Sequence, residues 1–111
     1  MSNKIFSMLG LAKKAGKLLS GSDVCEHAIK SGKATLIIIS SDSSEGTNKK
    51  IHDMCSYRRI PCRVFGDRYS LGKCTGKDER VVAALIDKGF SDVILKMIDE
   101  SLLNGGEVDG E

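Results

Sequence analysis

Ala34-Thr35-Leu36-Ile37-Ile38-Ile39-Ser40 is the stretch on which the fold turns. Its middle four residues are apolar without a break, and three of them are β-branched. A strand with one wet face alternates apolar with polar residues, whereas a strand covered on both faces has no reason to. This segment therefore predicts a central strand with a layer of structure on each side. It is far shorter than the ~20 apolar residues that a membrane-spanning helix needs.

Working outward toward the C-terminus, residues 41–46 read as a polar turn. Thr47 then caps a helix running to Arg59, with Ile51, Met54, Cys55 and Tyr57 facing inward. Pro61 cannot continue that helix and introduces a strand over residues 62–65. A loop over residues 66–69 leads to a short helix, residues 69–74, closed by Gly76. Residues 80–86 form another apolar strand, and residues 89–103 a last amphipathic helix with Val93, Ile94, Met97 and Ile98 as its core positions. Toward the N-terminus, Gly32 ends a helix that begins at the capping residues Ser22 and Asp23 and presents Val24, Ala28 and Ile29 to the core. Gly21 separates that helix from a short strand, residues 17–20. Ahead of the strand, residues 5–17 read as a helix on Phe6, Leu9 and Ala12, stopped by Gly16. Strict alternation of helix and strand predicts an α/β protein, a three-layer α/β/α sandwich around a small mixed four-stranded sheet. Residues 1–103 are expected to make one domain, and residues 104–111, rich in glycine and acid, a fraying tail.

With 111 residues, 41% of them hydrophobic against 29% charged, the chain has enough apolar material for one core. The first ten residues lack the charged start, apolar stretch and cleavage site of a secretory signal, so a cytoplasmic protein is expected, with no membrane partner. Cys25, Cys55, Cys62 and Cys74 make no Cys-x-x-Cys pair. They read as small hydrophobes in a reducing compartment; His52 beside Cys55 is the nearest approach to a ligand set, and no metal or cofactor is expected. The net charge of +2 conceals an asymmetry. Residues 1–86 hold 15 Lys and Arg against 8 Asp and Glu, a charge of +7, while residues 87–111 hold 2 against 7, a charge of −5. A basic body points to a polyanionic partner.

Catalytic patterns fail on their mechanics. Gly72-Lys73-Cys74-Thr75-Gly76-Lys77-Asp78 has three residues between its glycines and an Asp where a phosphate loop needs the Mg-binding Ser or Thr. Cys25 and His27 stand two apart on a helix and so face different ways. Adjacent Asp78 and Glu79 suit a solvated loop. The chain is expected not to be an enzyme.

The segment Leu9-Gly10-Leu11-Ala12-Lys13-Lys14-Ala15-Gly16-Lys17-Leu18-Leu19-Ser20-Gly21, followed by the strand at 36–40, by Ile60-Pro61 and by Leu71-Gly72-x-x-x-Gly76, resembles the kink-turn-binding ribosomal protein family of the L-seven-Ae type, and most its small bacterial members of the YlxQ type. The resemblance spans about residues 1–99. It implies the α/β/α sandwich already read from the pattern, and a protein that binds structured or ribosomal RNA, with ribosomal or translation proteins as further partners. Members of the family dock RNA on the start of the second helix, and the loop before the last strand closes over the bound bulge.

The family motif at that helix start is Gly-Thr-Asn-Glu followed two residues later by Lys; the matching positions here are Gly21, Ser22, Asp23, Val24 and His27. The implied interface takes Gly21 for close approach, Ser22 for its hydroxyl, Asp23 at the base edge and His27 for stacking or a hydrogen bond. Lys13, Lys14, Lys17 and Lys30 are expected around that point, with Lys77 and Arg80 from the later loop, to hold phosphates. Asp23 and Val24 depart from the family pattern, and the loop Lys77-Asp78-Glu79-Arg80 is charged where the family is apolar. The kink-turn therefore stays open as the target, beside other structured RNA. The alternative is a protein-interaction module that keeps the fold without the RNA surface. A monomer is expected.

Overall fold

The computed structural model describes residues 3–103. Nine elements alternate along them: α1 (Asn3–Lys14), β1 (Leu18–Ser20), α2 (Ser22–Lys30), β2 (Leu36–Ile39), α3 (Glu45–Arg58), β3 (Cys62–Val64), α4 (Arg68–Cys74), β4 (Val82–Leu85) and α5 (Lys88–Leu103). The four strands form one sheet in the order β1-β4-β2-β3. β4 runs antiparallel to both β1 and β2, and β2 runs parallel to β3, so the sheet is mixed.

All four residues of β2 are fully buried, and so are those of β4. Successive side chains leave opposite faces of a strand. Leu36 and Ile38 accordingly join Ile5, Leu9, Leu71, Ile94 and Ile98, from α1, α4 and α5, on one side. Ile37 and Ile39 join Cys25, Ala28, Ile29, Ile51 and Cys55, from α2 and α3, on the other. The unbroken apolar run is thus explained by two cores sharing one strand. Each fully buried aliphatic side chain contributes about 1.5–3 kcal/mol.

Several local expectations shift. α3 begins at Glu45, because Ser44 is its N-cap and accepts from the Thr47 N–H at 3.1 Å; Thr47 is the third helical residue rather than the cap. α4 begins at Arg68, with the Asp67 carboxylate accepting from the Ser70 N–H, and α5 begins at Lys88, with Asp87 accepting from the Phe90 N–H. In α2 the buried positions are Cys25, Ala28 and Ile29, and Val24 is exposed, since Cys25 serves as the hydrophobe there. Tyr57 is 85% exposed instead of facing inward, and Val93 also lies at the surface. α1 extends to Asn3 and ends at Lys14, with the chain turning at Gly16, φ +74°. The acidic tail expected at residues 104–111 lies outside the described residues. Among the described residues, no helix is long and apolar enough to cross a membrane.

The segment joining α4 to β4 is seated on α4. The Thr75 hydroxyl, buried, donates within α4 to the carbonyls of Leu71 and Gly72, and the Lys77 N–H reaches the Gly72 carbonyl at 2.8 Å. A Cβ on Gly72 would lie 2.6 Å from the Glu79 backbone. Glycine is required there by close backbone approach.

Ile29→Ala is expected to cost about 2–5 kcal/mol as a core truncation, whereas Val24→Ala stays within about 0.5 kcal/mol; denaturant titration of the two variants checks which residue of α2 faces the core. Gly72→Ala is expected to cost about 1–3 kcal/mol through overpacking, lowering Tm by roughly 4–8 °C for each kcal/mol in a domain of this size.

Candidate nucleic-acid interface

The start of α2 is set by Gly21, which leaves β1 with φ +102°, a conformation side chains disfavour. Its N–H donates to the Val82 carbonyl at 3.0 Å, and its carbonyl accepts from Cys25 at 2.9 Å. Gly21 is therefore the N-cap, and Ser22, expected to cap, is the first helical residue. No side chain caps this helix. The first-turn N–H groups are left to an outside acceptor, and with the helix dipole they favour an anion.

Arg80 stands across from Gly21. A Cβ on Gly21 would come within 3.8 Å of the Arg80 Nε. Arg80 donates through Nε to the Ser20 Oγ at 3.1 Å and through Nη1 to the Glu79 carbonyl at 3.1 Å, and its backbone N–H donates to the Arg68 carbonyl. Among the described residues, the other three guanidinium N–H groups have no protein acceptor. Gly21, Ser22, Glu79, Arg80 and Val81 enclose a cleft of about 230 Å³. The helix N–H groups line it from α2, and the Arg80 guanidinium and the acidic Glu79 line it from the loop before β4. Arg68 faces Glu79 at 3.5 Å and Asp42 at 3.3 Å.

The structure brings Gly21, Ser22 and Arg80 together and sets Asp23 and His27 exposed on the same helix. Lys77 is exposed at the start of the loop that delivers Arg80. Lys13 and Lys14 lie elsewhere, lining a groove between α1 and α4 with Phe6, Leu11, Lys73 and Gly76. That groove and the cleft share no lining residue. Lys17 is at the far end of β1 from Gly21, about 13 Å away at the rise of a strand. Lys30 is at the far end of α2, about 12 Å from Ser22 along the helix. The lysine ring expected around the helix start is in fact spread over both ends of the sheet.

Cys25 is fully buried, and burial pushes its thiol up to about 12, while His27 points to solvent, so the two form no nucleophile–base pair. His52 Nδ1 lies 3.0 Å from the Asn48 carbonyl one helical turn back. All four cysteines are free thiols, two of them buried. Among the described residues, no three His, Cys, Asp or Glu side chains gather into a metal-binding group.

Three contributors escape a reading of the sequence. Ser20 anchors the Arg80 guanidinium from 60 positions away, and nothing local marks the pair. Arg68 holds the loop backbone. Gly72, which invites a phosphate-loop reading, serves instead as the seat for Glu79; its spacing to Gly76 was the available signal.

Residues 3–95 match the ribosomal protein L7Ae/L30e/S12e/Gadd45 family. The chain is 37% identical over 94 residues to the RNA-binding protein YlxQ of Bacillus subtilis (strain 168), covering 85% of this chain and 94% of that one. It is 31% identical over 96 residues to the RNA-binding protein YlxQ of Enterococcus faecium, covering 86% and 92%. Among solved structures it resembles a Bacillus halodurans protein of unknown function, with TM-score 0.84 and 44% identity over 86% of this chain and 97% of that one. The Giardia lamblia 15.5kD RNA binding protein shares the fold, with TM-score 0.73 at 17% identity over 92% and 88%. With a family match over most of its length and relatives this similar, the chain belongs to the ribosomal protein L7Ae/L30e/S12e/Gadd45 family.

Proposed function

We propose that this chain is a non-catalytic RNA-binding protein that holds structured RNA in the cleft between the start of α2 and Arg80, as a monomer, in the cytoplasm, in association with the ribosome or translation. The observation that carries the reading is the uncapped first turn of α2 facing the Arg80 guanidinium across Gly21. The names of the Bacillus and Enterococcus relatives support RNA as the ligand. A phosphate in the cleft accepts from the helix N–H groups and from Arg80, a combination of dipole and planar donor fork that suits it. Gly21 keeps the backbone low enough for the RNA to approach.

Two exposed carboxylates refine the target. Asp23 and Glu79 flank the cleft and disfavour a phosphate placed on them, so the RNA must turn a base toward that side. An ionised Asp23 accepts from the N1–H and N2–H of a guanine, which offers both donors on one edge. The target is thus a phosphate bend with an accessible guanine beside it, in ribosomal RNA or in a kink-turn.

Fluorescence anisotropy against a kink-turn RNA, a matched duplex and ribosomal RNA at several salt concentrations tests this. Binding that neutralises about 4–6 phosphates weakens with salt by a logarithmic slope of roughly 0.7–0.9 per phosphate. Arg80→Glu is expected to weaken binding about ten-fold or more and to reduce the slope by about 1–2; equal binding by this variant would remove the cleft from the interface. Asp23→Asn, which restores the family residue, is expected to tighten kink-turn binding on the order of five-fold, one hydrogen bond's worth. Absence of salt-sensitive binding to all three RNAs would favour a protein-interaction module instead.

A further inference from the structure

We propose that the C-terminal ends of α2 and α3 form a second RNA-contact surface, which holds a single-stranded segment by stacking a base on Tyr57 and gripping its phosphates with Lys30, Lys33, Arg58 and Arg59. It rests on the reading of the chain as RNA-binding but uses none of the residues of the cleft.

The two helix ends are joined directly: Arg58 donates through Nη1 to the Lys30 carbonyl at 2.9 Å. Between them lies an open hollow of about 630 Å³, lined by Ile29, Gly32, Ala34, Tyr57, Arg58 and Ile60. Residues 27–34 and 56–63 carry five Lys and Arg and no Asp or Glu. Of the five, Arg63 is engaged by Asp99 at 2.7 Å, which leaves Lys30, Lys33, Arg58 and Arg59 exposed on this end of the molecule. Acids on the adjoining turns are engaged elsewhere, Asp53 with Lys49 at 2.8 Å and Glu26 with Lys50 at 3.1 Å. Among the described residues, no acid is paired with these four cations.

Cations at helix C-termini have a structural role, since they complement the helix dipole. That role accounts for Lys30 and Arg58. It extends to Arg59, the C-cap of α3, but not to Lys33, three residues past the end of α2, nor to Tyr57. This ring is 85% exposed, so it contributes little to the core, and its face lies 5.9 Å from the Arg58 guanidinium carbon. An exposed aromatic ring beside a guanidinium, with further cations on the same two helix ends, is the arrangement by which single strands are held without sequence preference: the ring stacks a base and the cations follow the phosphates. A neutral or basic protein surface would meet four cations that have no acidic partner among the described residues, whereas a polyanion meets complementary charge.

The test uses the full-length chain and two labelled probes at low salt, a single-stranded oligouridine octamer and a kink-turn RNA. Tyr57→Ala is expected to weaken octamer binding at least about five-fold, the loss of one stacked base, and Tyr57→Phe to retain it. Lys33→Glu is expected to lower the salt slope for the octamer by about one or two phosphates. Kink-turn binding stays within two-fold in Tyr57→Ala, and Arg80→Glu gives the reverse pattern. Failure of the wild-type chain to bind the octamer, or octamer binding unchanged in Tyr57→Ala, overturns the second surface. Octamer binding lost in Tyr57→Ala while Arg80→Glu leaves both RNAs bound supports this surface and removes the cleft, so the two readings fail separately.

Discussion

Burial of the β2 strand on both of its faces is the constraint from which the remaining architecture follows. Each of its four residues is closed off from water, two toward α1, α4 and α5 and two toward α2 and α3. Neither helical layer is dispensable, because removing one would expose an aliphatic row. A polar residue in β2 would have to be buried with whatever hydrogen bonds the core offers, at a cost of about 1–3 kcal/mol if it finds none. The sheet is therefore a fixed platform, and variation is confined to its ends.

At one such end, three short-range devices place the candidate interface. Gly21 turns the chain from strand to helix while staying bonded to Val82, so the first turn of α2 is fixed relative to β4. Gly72 lets the following loop sit against α4 without an intervening side chain. Ser20 and the Arg68 carbonyl then fix Arg80 from two directions. The guanidinium is held by the Ser20 hydroxyl and the Glu79 carbonyl, and the Arg80 backbone by α4, before any ligand arrives, which reduces the ordering that binding must impose.

The alternation of elements and the mixed sheet were legible in the sequence because periodicity is a local property that survives without any tertiary information. Helix boundaries were legible to within a few residues. They slipped where two capping residues compete, as Ser44 and Thr47 do, since only the formed turn decides which hydroxyl receives an N–H. The face of α2 was misread at Val24 because cysteine, small and apolar, took the core position that a valine would conventionally claim. At the candidate cleft, Gly21, Ser22 and Arg80 could be named from the resemblance to the family. The dispersal of the lysines was not, because charge counted along the chain carries no direction. Lys17 and Lys30 are near Gly21 in sequence and at the other end of its strand or helix in space. Ser20 with Arg80 could not be read at all, being joined by the sheet alone.

The pairing of β1 with β4 also orders events in time. Ser20 lies opposite Ala83, and Gly21 is bonded to Val82, so the two walls of the cleft come from segments about sixty residues apart. Contacts between distant segments carry a loop-closure cost and form late relative to local helices. A chain emerging from its N-terminus can form α1 and α2 long before β4 exists, yet it has no second wall until the region around residue 85 has joined the sheet. Assembly of the cleft is thereby tied to completion of the sheet: an unfinished chain displays lysines and helices but not the cleft.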